Sequence, residues 1–151
     1  MQIVTNAGKN KNHLSVLKAI IEGSEEIVIC SGWMKICGLK QILPSVDQAI
    51  ARGSRVLIYT NAEHTDVDCV KELSARPGVT HLNVAKPYLH SKLYYGRSGD
   101  SFRVMVGSAN VTAGGLLRNE ELSHAVSGNT TDLLHDHYLA YLKKLSGLVA
   151  A

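Results

Sequence analysis

Apolar residues along this chain follow two rhythms, one helical and one of short unbroken runs. From His13 to Glu22, Leu14, Leu17, Ile20 and Ile21 recur at helical spacing, and Gly23 stands where such a helix stops. Ile27-Val28-Ile29-Cys30 is a continuous apolar run rich in β-branched residues, which predicts a strand covered on both faces. A second helix is predicted over Leu39–Arg52, with Pro44 as a kink and Gly53 as its stop. Another buried strand follows over Arg55–Thr60, then a helix around Asp66–Arg76 that Pro77-Gly78 ends. Alternation of this kind implies a largely parallel sheet with helices packed on both faces.

Beyond Pro77 the pattern turns strand-like. Thr80–Ala85, Ser91–Tyr95, Phe102–Val106 and Leu122–Val126 are short apolar pieces, broken by Lys86-Pro87, by Gly96-Arg97-Ser98-Gly99-Asp100 and by Ala113-Gly114-Gly115. The Gly96–Asp100 stretch reads as a hairpin connection. Asp132–Leu145 closes the pattern as an amphipathic helix with Leu134, Tyr138, Tyr141 and Leu145 along one face. The expected fold is α/β, a mixed and largely parallel central sheet of about six to seven strands with helices on both faces.

Composition narrows the class. With 151 residues, 45% of them apolar, the chain is expected to form one domain over residues 1–151 with a core of its own. Its three cysteines, Cys30, Cys37 and Cys69, show no CxxC and no paired-ligand spacing, so neither a disulfide framework nor a zinc knuckle is written here. A reducing, cytoplasmic setting is the expectation. The start, Met1-Gln2-Ile3-Val4-Thr5-Asn6, soon turns polar, and no apolar run approaches the roughly 18 residues needed to span a bilayer. Neither export nor a membrane partner is therefore expected. The net charge of +3 is modest, yet it is unevenly spread. Lys86, Lys92, Arg97, Arg103 and Arg118 face a single acid, Asp100, between positions 86 and 118, whereas Asn119–Asp136 holds Glu120, Glu121, Asp132 and Asp136 with no Lys or Arg.

The basic stretch also carries the chemistry. In Leu89-His90-Ser91-Lys92-Leu93-Tyr94-Tyr95, a strand would project His90 and Lys92 from one face, giving an anion site that contains an imidazole nucleophile or base. Gly107-Ser108-Ala109-Asn110 leaves a strand into a turn, where a hydroxyl, a carboxamide and freed backbone N–H groups can converge on phosphate oxygens. Glu121 begins the next predicted strand, and a carboxylate there can hold an imidazole N–H in one tautomer. Together these groups are a phosphate-handling set that needs no metal cluster and no cofactor.

The same residues resemble the phospholipase D superfamily, whose signature is the HKD motif. His90-x-Lys92, then Gly107-Ser108-Ala109-Asn110-Val111-Thr112, Gly115-Leu116 and Asn119-Glu120-Glu121, is similar to the single-motif, metal-independent nuclease branch that includes restriction-endonuclease catalytic domains. One element departs from the pattern: Arg97 occupies the position of the motif's Asp, so the carboxylate role falls to Glu121. The resemblance implies a phosphodiesterase or endonuclease acting on nucleic acid, DNA rather than RNA, through a covalent phosphohistidine. It implies His90, Lys92, Asn110 and Glu121 as catalytic residues and Ser108, Lys92 and Asn110 as phosphate ligands. Gly107 and Asn119 would support them. Because superfamily sites use two HKD motifs and this chain has one, the resemblance also implies a homodimer with a shared site. Sequence-specific cleavage would call for a separate recognition domain or subunit.

Trp33, Met34 and Lys35 follow a predicted strand, where loops border ligand crevices in α/β sheets, so Trp33 and Arg118 are candidate substrate contacts. His135 and His137 lie two apart on a helix and point roughly 200° apart, which keeps them from sharing one ion. Glu63, Asp66 and Asp68 read as capping acids at a helix start. Two alternatives to the nuclease stand beside it: a phospholipase D-type enzyme acting on phospholipid, and an inactive nucleic-acid-binding module.

Overall fold

One eight-stranded sheet runs through the computed structural model, which describes residues 1–151. In chain order the elements are β1 (Gln2–Val4), α1 (His13–Glu22), β2 (Glu26–Ser31), α2 (Ile36–Ala51), β3 (Arg55–Asn61), α3 (Val67–Ser74) and β4 (Val79–Lys86). They continue with β5 (Lys92–Ser98), β6 (Ser101–Gly107), a π-helical turn (Gly114–Arg118), β7 (Ser123–Asn129), α4 (Leu133–Leu145) and β8 (Val149–Ala150). Across the sheet the order is β1-β7-β6-β5-β2-β3-β4-β8.

The sheet is mixed, as expected, but its parallel part is smaller than the helix–strand alternation implies. Only β2–β3 and β3–β4 pair in parallel. The pairs β1–β7, β2–β5, β4–β8, β5–β6 and β6–β7 are antiparallel. Parallel neighbours need a crossover helix, and α2 and α3 supply two. After β4 no α-helix intervenes until α4, so the chain returns through direct connections and its strands alternate in direction. The edge strands β1 and β8, three and two residues long, raise the strand count above that expected and are too short to show a period-2 pattern.

Alternating side chains divide the interior into two cores. Ile27, Ile29, Val56, Ile58, Tyr94, Met105 and Ala125 point to the face covered by α1, α2 and α3. Val28, Cys30, Tyr59, Leu93, Tyr95 and Val104 point to the other, where α4 packs through Tyr138, Tyr141, Leu142 and Leu145. The α4 face is rotated from the one expected: Leu134 is exposed, and His135 takes the buried place, its ring bonded to the Tyr95 hydroxyl at 2.9 Å and near the Thr130 carbonyl at 3.1 Å. Helix α1 starts where predicted because the Asn12 side chain accepts from the Ser15 N–H at 2.9 Å. Pro44 lies inside α2. No helix is long and apolar enough to cross a membrane.

The path between β4 and β5 positions the site. β5 pairs with β2 rather than with β4, so residues 87–91 cross over the C-terminal ends of β3 and β2 before β5 runs back. His90 lies in this crossing segment.

Candidate active site

Ser31, Thr60 and Lys92 stand side by side in register at the ends of β2, β3 and β5, and Gly107 pairs with Ser123 at the same end of β6 and β7. The crossing segment is held down from below. The Asn61 amide donates to the Leu89 carbonyl at 2.8 Å, and Gly32 lets the backbone of His90 come close: a Cβ there would lie 3.1 Å from the His90 Cα. His90 precedes β5 instead of lying within a strand as expected, yet it meets Lys92 all the same, with Nε2 at 3.0 Å from the Lys92 Nζ. An ammonium only donates, so Nε2 accepts and the ring proton belongs on Nδ1. Lys92 is buried, and burial pulls its pKa below the ordinary amine value, while the Glu121 charge acts in the opposite direction. Burial pushes the Cys30 thiol up to about 12, which keeps it uncharged beside Lys92.

The turn after β6 is tied on every side. A side chain at Gly107 would collide with the Ser123 hydroxyl and the Leu122 carbonyl. The Ser108 hydroxyl donates to Glu121 and accepts from the Leu122 N–H at 3.0 Å, and its backbone N–H donates to the Leu122 carbonyl at 3.1 Å. The Asn110 side-chain oxygen accepts from the Trp33 N–H at 2.9 Å, and the Ser31 hydroxyl accepts from the Val111 N–H at 2.9 Å. Tyr94, buried in the sheet, donates its hydroxyl to the Ala109 carbonyl at 2.6 Å. Gly115 in the π-helical turn packs against this loop so closely that a Cβ would lie 2.5 Å from the Asn110 carbonyl oxygen.

His90, Lys92, Ser108, Asn110 and Glu121 thus gather at one end of the sheet, on three segments distant in sequence. Glu121 lies in the loop before β7, not in the strand, and within the chain its carboxylate bonds Ser108 while His90 bonds Lys92. Asn119 closes the π-helical turn, its N–H on the Gly114 carbonyl at 2.7 Å and its own carbonyl accepting from Asn6, so its place is structural support. Trp33 borders the site, and Arg118 is exposed at the end of the π-helical turn. The basic stretch does not form one patch. Arg97, five residues along β5, lies about 17 Å from Lys92, where it pairs with Glu26 at 2.9 Å. Arg103 is paired across from Gly96 at that same far end. Asp66 is a tether: it accepts from the Ile36 N–H at 3.0 Å and pairs with Lys35 at 3.2 Å.

Four positioning residues escaped the sequence reading. Ser31, Asn61 and Tyr94 hold the loops just described. His13 is fully buried, with Nδ1 at 2.8 Å from the Asn6 side-chain oxygen and Nε2 at 2.8 Å from the Ser123 hydroxyl. Polar residues closing buried strands, as Ser31 and Asn61 do, were the available signal; His13 gave none, because its partner Ser123 lies 110 residues downstream. His90, Lys92 and Gly107 line a cavity of about 590 Å³ together with Leu93, Val106, His137, Tyr138 and Tyr141, while Ser108, Asn110 and Glu121 lie outside its lining.

The whole arrangement is a phospholipase D-like fold. NucT from Helicobacter pylori superposes with a TM-score of 0.76 at 18% identity over 99% of this chain and 98% of its own. Nuc from Salmonella typhimurium, a phospholipase D family member, superposes at 0.74 with 17% identity over 99% and 96%. Polyphosphate kinase from Porphyromonas gingivalis reaches 0.67 at 13% identity, with 98% of this chain on 26% of that one. At these identities the likeness establishes the fold. No protein-family model and no curated protein matches the sequence.

Proposed function

We propose that this chain is a metal-independent phosphodiesterase that hydrolyses nucleic acid, DNA in preference to RNA, at a site completed by a second copy of itself. The observation that carries the reading is the 3.0 Å contact between His90 Nε2 and Lys92 Nζ beside the Ser108–Asn110 turn. It sets a lone pair next to a buried cation and a row of donors, which is what attack on a phosphodiester requires. As the phosphate enters, the Lys92 ammonium turns from Nε2 to a non-bridging oxygen; the freed Nε2 lone pair attacks phosphorus, a P–N bond forms, and the P–O bond to the leaving group breaks. The partner's His90 donates the proton to that oxygen. Water deprotonated by the same partner imidazole then attacks phosphorus, the P–N bond breaks, and His90 is regenerated. Lys92 and the Asn110 amide N–H hold the non-bridging oxygens as charge builds on them, and the Ser108 hydroxyl joins them by turning its proton from Glu121 to phosphate. Within the chain Glu121 gives one carboxylate oxygen to Ser108, which leaves the other free to hold the N–H of the partner's His90.

The test is cleavage of an oligonucleotide and of a plasmid in excess EDTA, with His90→Ala as control, and isolation of a phosphorylated protein labelled on histidine during turnover. Folded dimer that cleaves neither substrate overturns the proposal. A second reading rests on the apolar walls of the cavity beside His90, which suit a lipid chain. Headgroup release from anionic phospholipid vesicles, with nucleic acid left intact, would select it.

A further inference from the structure

Three rings outside the hydrolytic chemistry form a row that ends at His90. Trp33 stacks on His64 with centroids 4.6 Å apart and planes 24° from parallel. His64 meets Tyr88 edge-on at 5.7 Å, and Tyr88 lies 6.0 Å from His90. The rings come from three separate segments, after β2, after β3 and in the crossing segment, all at the site end of the sheet. Trp33 is 40% exposed and Tyr88 51%, although packing against the interior would have been the default for rings of this size. Cations flank the row. The Lys35 ammonium lies 5.9 Å from the centre of the Trp33 ring, Lys86 is exposed at the end of β4, and Lys144 borders the hollow that holds Tyr88 and His90.

We propose that this row is a base-stacking track and that the substrate strand is single. The inference rests on the phosphodiesterase reading and names the form of nucleic acid that site takes. A phosphate held at His90 brings its neighbouring base to Tyr88, the most exposed ring and the one next to the nucleophile, and the strand continues toward Trp33 with its phosphates near the lysines. Unpaired bases present their faces to such rings whatever their identity. In a duplex the same faces are covered by neighbouring pairs, so the track has nothing to hold unless a base is first unstacked.

Trp33 is the only tryptophan, so its fluorescence reports directly on the track. The protein carrying His90→Ala, which leaves the strand uncut, is titrated with an oligothymidylate of about twelve nucleotides, with an abasic strand of equal length, and with a duplex. Quenching and about tenfold tighter binding of the base-bearing strand over both others are expected. Adding Tyr88→Leu should erase the advantage over the abasic strand, and Tyr88→Phe should restore it. Equal affinity for the base-bearing and abasic strands overturns the track. So do equal losses for both strands in Tyr88→Leu, or a duplex bound as tightly as the single strand. Hydrolysis of bis(4-nitrophenyl) phosphate by the wild-type protein, a diester without a base, separates the two readings. Strand stacking without that hydrolysis refutes the phosphodiesterase and leaves the track standing, whereas hydrolysis without any preference for bases does the reverse.

Discussion

His90 and Lys92 depend on each other: the imidazole is exposed and the ammonium buried, and one hydrogen bond joins them. His90→Ala is therefore expected to lower kcat/KM on a phosphodiester by at least about a thousandfold. Lys92→Met should remove a comparable amount through kcat, with folding retained, since Met fills the stem's volume; steady-state kinetics on both variants check this. His13 lends the site a different property. Burial holds its pKa below 6.5, with the Glu121 charge opposing that shift, and burial lowers His81 in the same sense. As pH falls past 6.5 the unfolded chain takes up protons on these rings while the folded one does not. Stability is thus complete above 6.5 and is lost as pH drops toward the folded values. Thermal midpoints measured from pH 7.5 to 5 should fall, and His13→Gln should flatten part of that fall.

At the scale of elements, the π-helical turn and the Gly107–Asn110 turn lean on each other without room for a methyl group. Gly115→Ala forces the Asn110 carbonyl to move and should cost about 1–3 kcal/mol in denaturant unfolding, as overpacking does elsewhere, with a drop in kcat because Asn110 moves too. The elements whose periodicity is long were legible in the sequence: α1 matches its predicted span, and β2, β3, α2 and α4 fall within a few residues of theirs. The gathering of His90, Lys92, Ser108 and Asn110 was legible as well, because each motif ends or begins a strand. Three features were hidden for physical reasons. A π-helical turn of five residues has no apolar period to show. The antiparallel bias depends on which strand β5 chooses, a tertiary matter that places β5 against β2. The basic stretch looked continuous because sequence distance ignores the length of a strand, which carries Arg97 to Glu26 at the opposite end. That ion pair also accounts for Arg97 at the motif's Asp position: it serves the strand, and Arg97→Ala should change stability slightly and kcat hardly at all.

For the whole molecule, the proposed mechanism takes one catalytic imidazole, His90, from each chain, and on that mechanism catalysis is a property of pairs. The solution mass is expected at twice 16.3 kDa. Mixed dimers give a sharper measure: when wild-type and His90→Ala chains are refolded together, activity should follow the square of the wild-type fraction, whereas independent monomers would give a straight line. The sheet order has a further consequence for how the molecule comes into being. β1 pairs with β7, and His13 bonds Ser123, 110 residues downstream. On the ribosome β1 must therefore wait for β7, and the Ser123 contact beside Gly107 is made only when β7 joins the sheet. A chain that stops before β7 holds His90 and Lys92 but lacks Ser123 and the β1–β7 pairing, so on the proposed function hydrolysis begins only once β7 has joined the sheet.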